Sequence, residues 1–174
     1  MGASSNGGRV LSFALDHPNA VEALVVVGTV VPGVPFSKEF LAMAEPAIQS
    51  LMKNDLAGAV AAFEKFPHLV SPKNPDAKEK AMALMRANPQ NLAPRKLEDP
   101  SGAIVERLGE LNLPVLVIVG ADDHENNRHH AKVASDKIVN SLLVTMKDAG
   151  HLAYLERPEE FASLVISFIK ARTR

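Results

Sequence analysis

The chain has 174 residues, 47% of them hydrophobic, and its 19 basic and 20 acidic side chains leave a formal net charge of −1. That is the length of one domain with a sizeable core, and the mixed, balanced charge argues against a nucleic-acid surface or an acidic tail. No cysteine is present, which removes disulfides, thiol chemistry and thiolate metal sites. No apolar run reaches the ~20 residues of a membrane span, and the N-terminus lacks the charged-then-apolar form of a signal peptide. The expectation is a soluble, cytoplasmic chain.

The first residues, Gly2-Ala3-Ser4-Ser5-Asn6-Gly7-Gly8-Arg9, read as a sharp turn leading into a helix, the setting in which a serine is lifted above a parallel sheet. Val10, Leu11, Phe13, Ala14 and Leu15 suit the inner face of a short helix, which His17-Pro18 ends because the residue before proline avoids the helical region. Ala23 to Val27 is a continuous run closed by Gly28, the pattern of a strand buried on both faces. From Pro32 to Leu111 the apolar residues recur at helical spacing. Phe40, Leu41, Ala44, Ile48 and Leu51 form one stripe; Leu56, Ala59, Val60 and Phe63 a second; Ala77, Ala81, Leu84 and Met85 a third. Asp55 and Asp76 are candidate helix caps, and prolines from Pro67 to Pro100 punctuate the stretch. Strand and helix then alternate again: a strand at Pro114–Val119, a helix at Ala131–Asn140, a strand at Leu142–Met146, and a final helix opened by Pro158. In that last helix Phe161, Leu164, Val165, Phe168 and Ile169 make the inner stripe. Alternation of this kind predicts an α/β fold with a short parallel sheet. The expected organisation is residues 1–31 and 112–174 as sheet core and 32–111 as a helical insertion.

Three residue types needed for nucleophilic catalysis fall at the turn or after strands, where open α/β sheets hold their ligands. Ser5 lies in the N-terminal turn, Asp123 follows the second strand, and His151 follows the third. A serine hydroxyl needs a histidine to take its proton, and a buried carboxylate fixes the imidazole's tautomer. The order serine, aspartate, histidine is one of the known orders of that triad. Two rivals stay open, Ser4 for Ser5 and Asp122 for Asp123. A phosphate loop is rejected, because Gly8-Arg9 stands where Lys-Ser/Thr is required. Asp122, Asp123, His124, Glu125, His129 and His130 crowd together, but their spacing matches no helix-face pair of metal ligands. They read as a solvated loop, and neither metal nor cofactor is expected.

These motifs, together with Asp16-His17-Pro18, Leu113 to Asp123, and Ala149-Gly150-His151 followed by Glu156-Arg157-Pro158-Glu159-Glu160-Phe161, make the chain similar to α/β-hydrolase-fold proteins. The resemblance is to their C-terminal half, in the enol-lactonase-like branch that carries a helical lid. It implies a partial α/β-hydrolase fold starting at the nucleophile elbow, with the lid at 32–111. The implied activity is that of a serine hydrolase of small esters or lactones. Ser5 would be the nucleophile, chosen by counting back from Gly7-Gly8, with no strand expected before it. Asp123 and His151 would complete the triad, and the N–H of Asn6 would serve the oxyanion. Phe36, Phe40, Met43, Leu84 and Met85 would line a substrate pocket. The resemblance also implies absent early strands, and so either a complementing N-terminal half, a homo-oligomer closing the open edge, or a truncated, non-catalytic remnant that works by binding.

Overall fold

The computed structural model describes residues 1–92 and 102–171. Four parallel strands form one sheet in the order β1-β2-β3-β4: β1 Gly2–Ala3, β2 Leu24–Val27, β3 Val115–Gly120 and β4 Ser141–Met146. The register pairs Gly2 with Val26, Leu24 with Val115 and Val115 with Ser141. The chain was expected to reach its turn with no strand before it; instead Gly2 and Ala3 pair with Val26 and Val27. Two residues suffice because β2 offers its free side to them. Every residue of β2 and β3 is buried, as their unbroken apolar runs require. At the edge, β4 exposes Leu142 and Leu143.

Helices cover both faces. On one, α1 (Ser5–Asp16), the 3-10 turn Val105–Glu110 and α5 (Glu125–Lys137) close a core of Leu11, Val26, Leu108, Val115, Val117 and Ala131. On the other, α6 (Ala153–Glu156) and α7 (Pro158–Lys170) pack Ala153, Phe161 and Phe168 against Val25, Val27, Leu116 and Ile118. Ile169, placed in the inner stripe of α7 by its spacing, is exposed.

Between β2 and β3 lie α2 (Lys38–Met52), α3 (Leu56–Glu64) and α4 (Pro75–Ala87). Ser37 caps α2 by accepting the Phe40 N–H, and Asp55 caps α3 by accepting the Gly58 N–H at 2.8 Å. Asp76 does not cap: α4 starts one residue earlier, with Asn74 at the cap position and Pro75 in the first turn. Val60, Leu69, Ala77, Ala81 and Met82 give this segment a core of its own. Leu41 and Leu84, both assigned to inner stripes, are exposed, and Ile48, from the same stripe as Leu41, is exposed towards a cavity rather than packed in a core. Pro94 and Pro100 lie outside the described residues. Among the described residues no helix is long and apolar enough to cross a membrane.

Candidate active site

The carboxyl ends of β1, β2, β3 and β4 meet over one cavity of about 240 Å³. At the end of β1 the chain must turn from strand to helix in one residue. Ser4 makes that turn, with φ 53° and ψ −130°. This backbone is strained for a residue with a side chain, at a cost of about 1–3 kcal/mol. The surroundings hold it there. Its N–H donates to the Val27 carbonyl at 2.9 Å, and its own carbonyl accepts the N–H groups of Gly7 and Val30 at 2.9 and 3.1 Å. The turn brings β1 and α1 so close that a Cβ on Gly2 would stand 2.5 Å from the Asn6 carbonyl oxygen. Ser4 lines the cavity together with Asp123 and His151.

After β3, Asp123 is buried, with only 2% of its surface exposed. Its Oδ1 accepts the His124 N–H and the Asn127 Nδ2–H, each at 2.7 Å, and its Oδ2 lies 2.9 Å from His151 Nδ1. A carboxylate can only accept, so Nδ1 carries the proton in that bond and Nε2 of the neutral ring is left as a base. Gly28, at φ +49°, makes room for the pair: a Cβ there would sit 2.9 Å from His151 Nδ1. Asp122, the rival acid, faces away and accepts the Ser71 hydroxyl at 2.6 Å.

The His151 loop is tied to the segment after α3. His151 and Leu152 donate their N–H groups to the carbonyls of His68 and Leu69 at 3.0 and 3.1 Å. Glu156 is buried beneath. It accepts Gly150 N–H at 2.7 Å, Ser71 N–H at 2.8 Å and Asn74 Nδ2–H at 3.0 Å. One carboxylate thus holds the histidine loop and the helical segment in a fixed relation. His124 and His68 flank the cavity, and burial, with His68 beside it, lowers the His124 pKa below the usual imidazole value.

The serine turn corrects the reading by motif. Ser5 is the first residue of α1, exposed and off the cavity wall, while Ser4 occupies the turn. Counting back from Gly7-Gly8 misplaces the turn by one residue, because those glycines answer to a different contact. They let α1 approach Thr29, Val30 and Pro32. The N–H that follows the turn residue is therefore Ser5's, not that of Asn6, whose side chain accepts from Arg9 on the outer surface. Phe36 and Phe40 line the cavity, stacked with ring centroids 5.0 Å apart. Met43, Leu84 and Met85 do not. The cavity face of α2 carries Phe40, Ala44, Ala47, Ile48 and Leu51, and Met43 falls off that stripe. On α4, Leu84 is 58% exposed and Met85 packs into the separate core of the helical segment. Asn127, Gly28 and Glu156 were missed as site residues. Gly28 and Glu156 stand in the sequence only as a strand end and as part of a family motif, and Asn127 lies before the helix expected at 131–140, so none of the three carries a local signal of its role.

The sequence profile of the alpha/beta hydrolase family matches residues 1–164. The chain belongs to that family. It is 24% identical over 184 residues to the 2-hydroxy-6-oxo-6-phenylhexa-2,4-dienoate hydrolase of Comamonas testosteroni, a match covering 99% of this chain and 62% of that protein. It is 28% identical over 185 residues to the polyketide synthase ThaQ of Burkholderia thailandensis, across 100% of this chain but 8% of that protein. Among solved structures, the esterase RhEst1 from Rhodococcus sp. ECU1013 superposes with a TM-score of 0.78 at 25% identity, covering 98% of this chain and 64% of that one. The chain thus spans less than two thirds of each of these three proteins.

Proposed function

We propose that the protein is a serine hydrolase of small esters or lactones, with Ser4 as nucleophile, His151 as general base and acid, and Asp123 as the group that orients the imidazole. The observation that carries this reading is the strained Ser4 backbone on the wall of a cavity shared with the hydrogen-bonded Asp123–His151 pair. In the forward step Ser4 Oγ attacks the substrate carbonyl while His151 Nε2 takes the hydroxyl proton. The carbonyl electrons move onto oxygen, and the N–H of Ser5 faces the developing charge. Collapse breaks the bond to the leaving alcohol, which receives the proton from His151. Water then attacks the acyl-serine by the same route and releases the acid. The cavity walls suit an apolar acyl or alcohol group, since beyond the catalytic end they are formed by Phe36, Phe40, Ala47, Leu51, Phe63 and Phe66.

The test is labelling with a fluorophosphonate probe, read by mass spectrometry on the wild type, Ser4→Ala and Ser5→Ala, with p-nitrophenyl ester hydrolysis followed in parallel. The label is expected on Ser4, lost in Ser4→Ala and retained in Ser5→Ala. Labelling that survives Ser4→Ala, or a wild type that neither labels nor turns over any ester, overturns the reading.

A further inference from the structure

A second cavity of about 730 Å³ adjoins the first and shares four wall residues with it: Phe36, His68, Asp123 and His124. The two histidines stand at this neck, ring centroids 5.2 Å apart and nearly perpendicular at 85°. Their ring nitrogens are committed in opposite senses. His124 Nδ1 accepts the Asn126 N–H at 3.0 Å, so in the neutral ring the proton is on Nε2. His68 Nδ1 lies 3.1 Å from the Asp122 carbonyl oxygen, which can only accept, so in the neutral ring the proton is on Nδ1 and a lone pair is left on Nε2. Among the described residues neither Nε2 has a protein partner, and neither is one of the buried polar atoms left without one. Both side chains line the two cavities.

We propose that His124 Nε2–H and His68 Nε2 form a donor–acceptor pair that reads a hydroxyl or secondary amide on the substrate, close to the scissile carbonyl. The substrate class of the proposed hydrolase, on which this inference rests, is then hydroxy- or amido-substituted esters or lactones. A hydroxyl satisfies both nitrogens at once, accepting from His124 and donating to His68. A secondary amide does the same with its carbonyl and its N–H. A carboxylate, ketone or ether accepts only and leaves the His68 lone pair facing another lone pair. An alkyl group satisfies neither nitrogen and strips both of water. Burial and the neighbouring His68 lower the His124 pKa, which favours the neutral ring, and the Asn126 N–H selects its tautomer.

Two isosteric ester pairs test the inference on the full chain: p-nitrophenyl 3-hydroxybutanoate against 3-methylbutanoate, and p-nitrophenyl N-acetylglycinate against 4-oxopentanoate. In each pair the polar member should have the higher kcat/KM, by about tenfold, the scale of one hydrogen bond. The ratio should fall towards one in His68→Leu and in His124→Phe. Independently of turnover, long-range 1H–15N NMR of the imidazoles should show a proton on Nε2 of His124 and on Nδ1 of His68. Both Nε2 signals should shift with the unreactive ketone 4-hydroxypentan-2-one and stay with 4-methylpentan-2-one. Equal kcat/KM within both pairs, the opposite tautomer on either ring, or shifts that do not distinguish the two ketones overturn the proposal. Tautomers and shifts as expected in a protein that hydrolyses none of the four esters sink the hydrolase reading and leave the donor–acceptor pair standing.

Discussion

His130 should make the fold lose stability as the pH falls below neutrality. It sits fully buried on α5, its Nδ1 accepting the Val31 N–H at 3.0 Å and its ring 5.0 Å from that of Phe36, while among the described residues Nε2 has no partner. Burial, with a smaller push from His129, lowers its pKa from 6.5 to about 4. The folded protein therefore keeps the ring neutral where the unfolded chain already protonates it. Between those two values the unfolded state binds more protons, so stability is complete above 6.5 and falls as the pH drops towards 4. The gap, at about 1.4 kcal/mol per pH unit, caps the loss at about 3 kcal/mol. The assay is the urea midpoint of wild type and His130→Gln at pH 7.5, 6.5, 5.5 and 4.5. Glutamine can still accept from Val31 but does not titrate. The variant should be weaker at pH 7.5, and the difference should shrink as the pH falls. Carboxylates titrate in both proteins and cancel in that difference. Parallel curves from pH 6.5 to 4.5 would refute the argument.

Three further outcomes follow from contacts at the candidate site. Gly28→Ala should cut ester turnover at least about 100-fold in a protein that still folds by circular dichroism, because the new Cβ would stand 2.9 Å from His151 Nδ1 and strain a positive-φ position. Glu156→Gln should lower the urea-derived stability by about 1–3 kcal/mol, since an amide cannot accept from Gly150, Ser71 and Asn74 as the carboxylate does; an unchanged midpoint would remove Glu156 from the account. Ala47→Phe should shift preference towards shorter acyl chains in a p-nitrophenyl ester series, because Ala47 lies on the apolar wall of the 240 Å³ cavity.

What the sequence conveys depends on whether a feature is local. β2 and β3 are legible because a strand buried on both faces must be apolar at every position, and Leu24–Val27 and Val115–Val119 are. Asp123 and His151 are legible for a related reason. Each follows a buried strand by a few residues, and the parallel sheet carries both to the same edge, where they meet at 2.9 Å. The helical segment is legible in kind but not in facing. Period alone cannot say which stripe of α4 meets a neighbour, so Leu84 was placed inside and lies outside. β1 was illegible, since two residues carry no period and owe their strand geometry to β2. Glu156 was illegible because its partners lie at Gly150 and, more than eighty positions away, at Ser71 and Asn74.

The serine register shows the same limit at the scale of one residue. In a Gly-Ala-Ser-Ser-Asn-Gly-Gly string, each serine can be counted to the turn from one set of glycines. The choice depends on which glycine meets which neighbour. Gly2 faces the Asn6 carbonyl across the turn, whereas Gly7 and Gly8 face Thr29, Val30 and Pro32 across the helix. The first contact fixes the turn and the second fixes how closely α1 lies on the loop after β2. They are separate demands, and an insertion between them moves one without the other. The turn therefore belongs to the serine two residues after Gly2, and the oxyanion-facing N–H of the proposed mechanism moves with it, from Asn6 to Ser5.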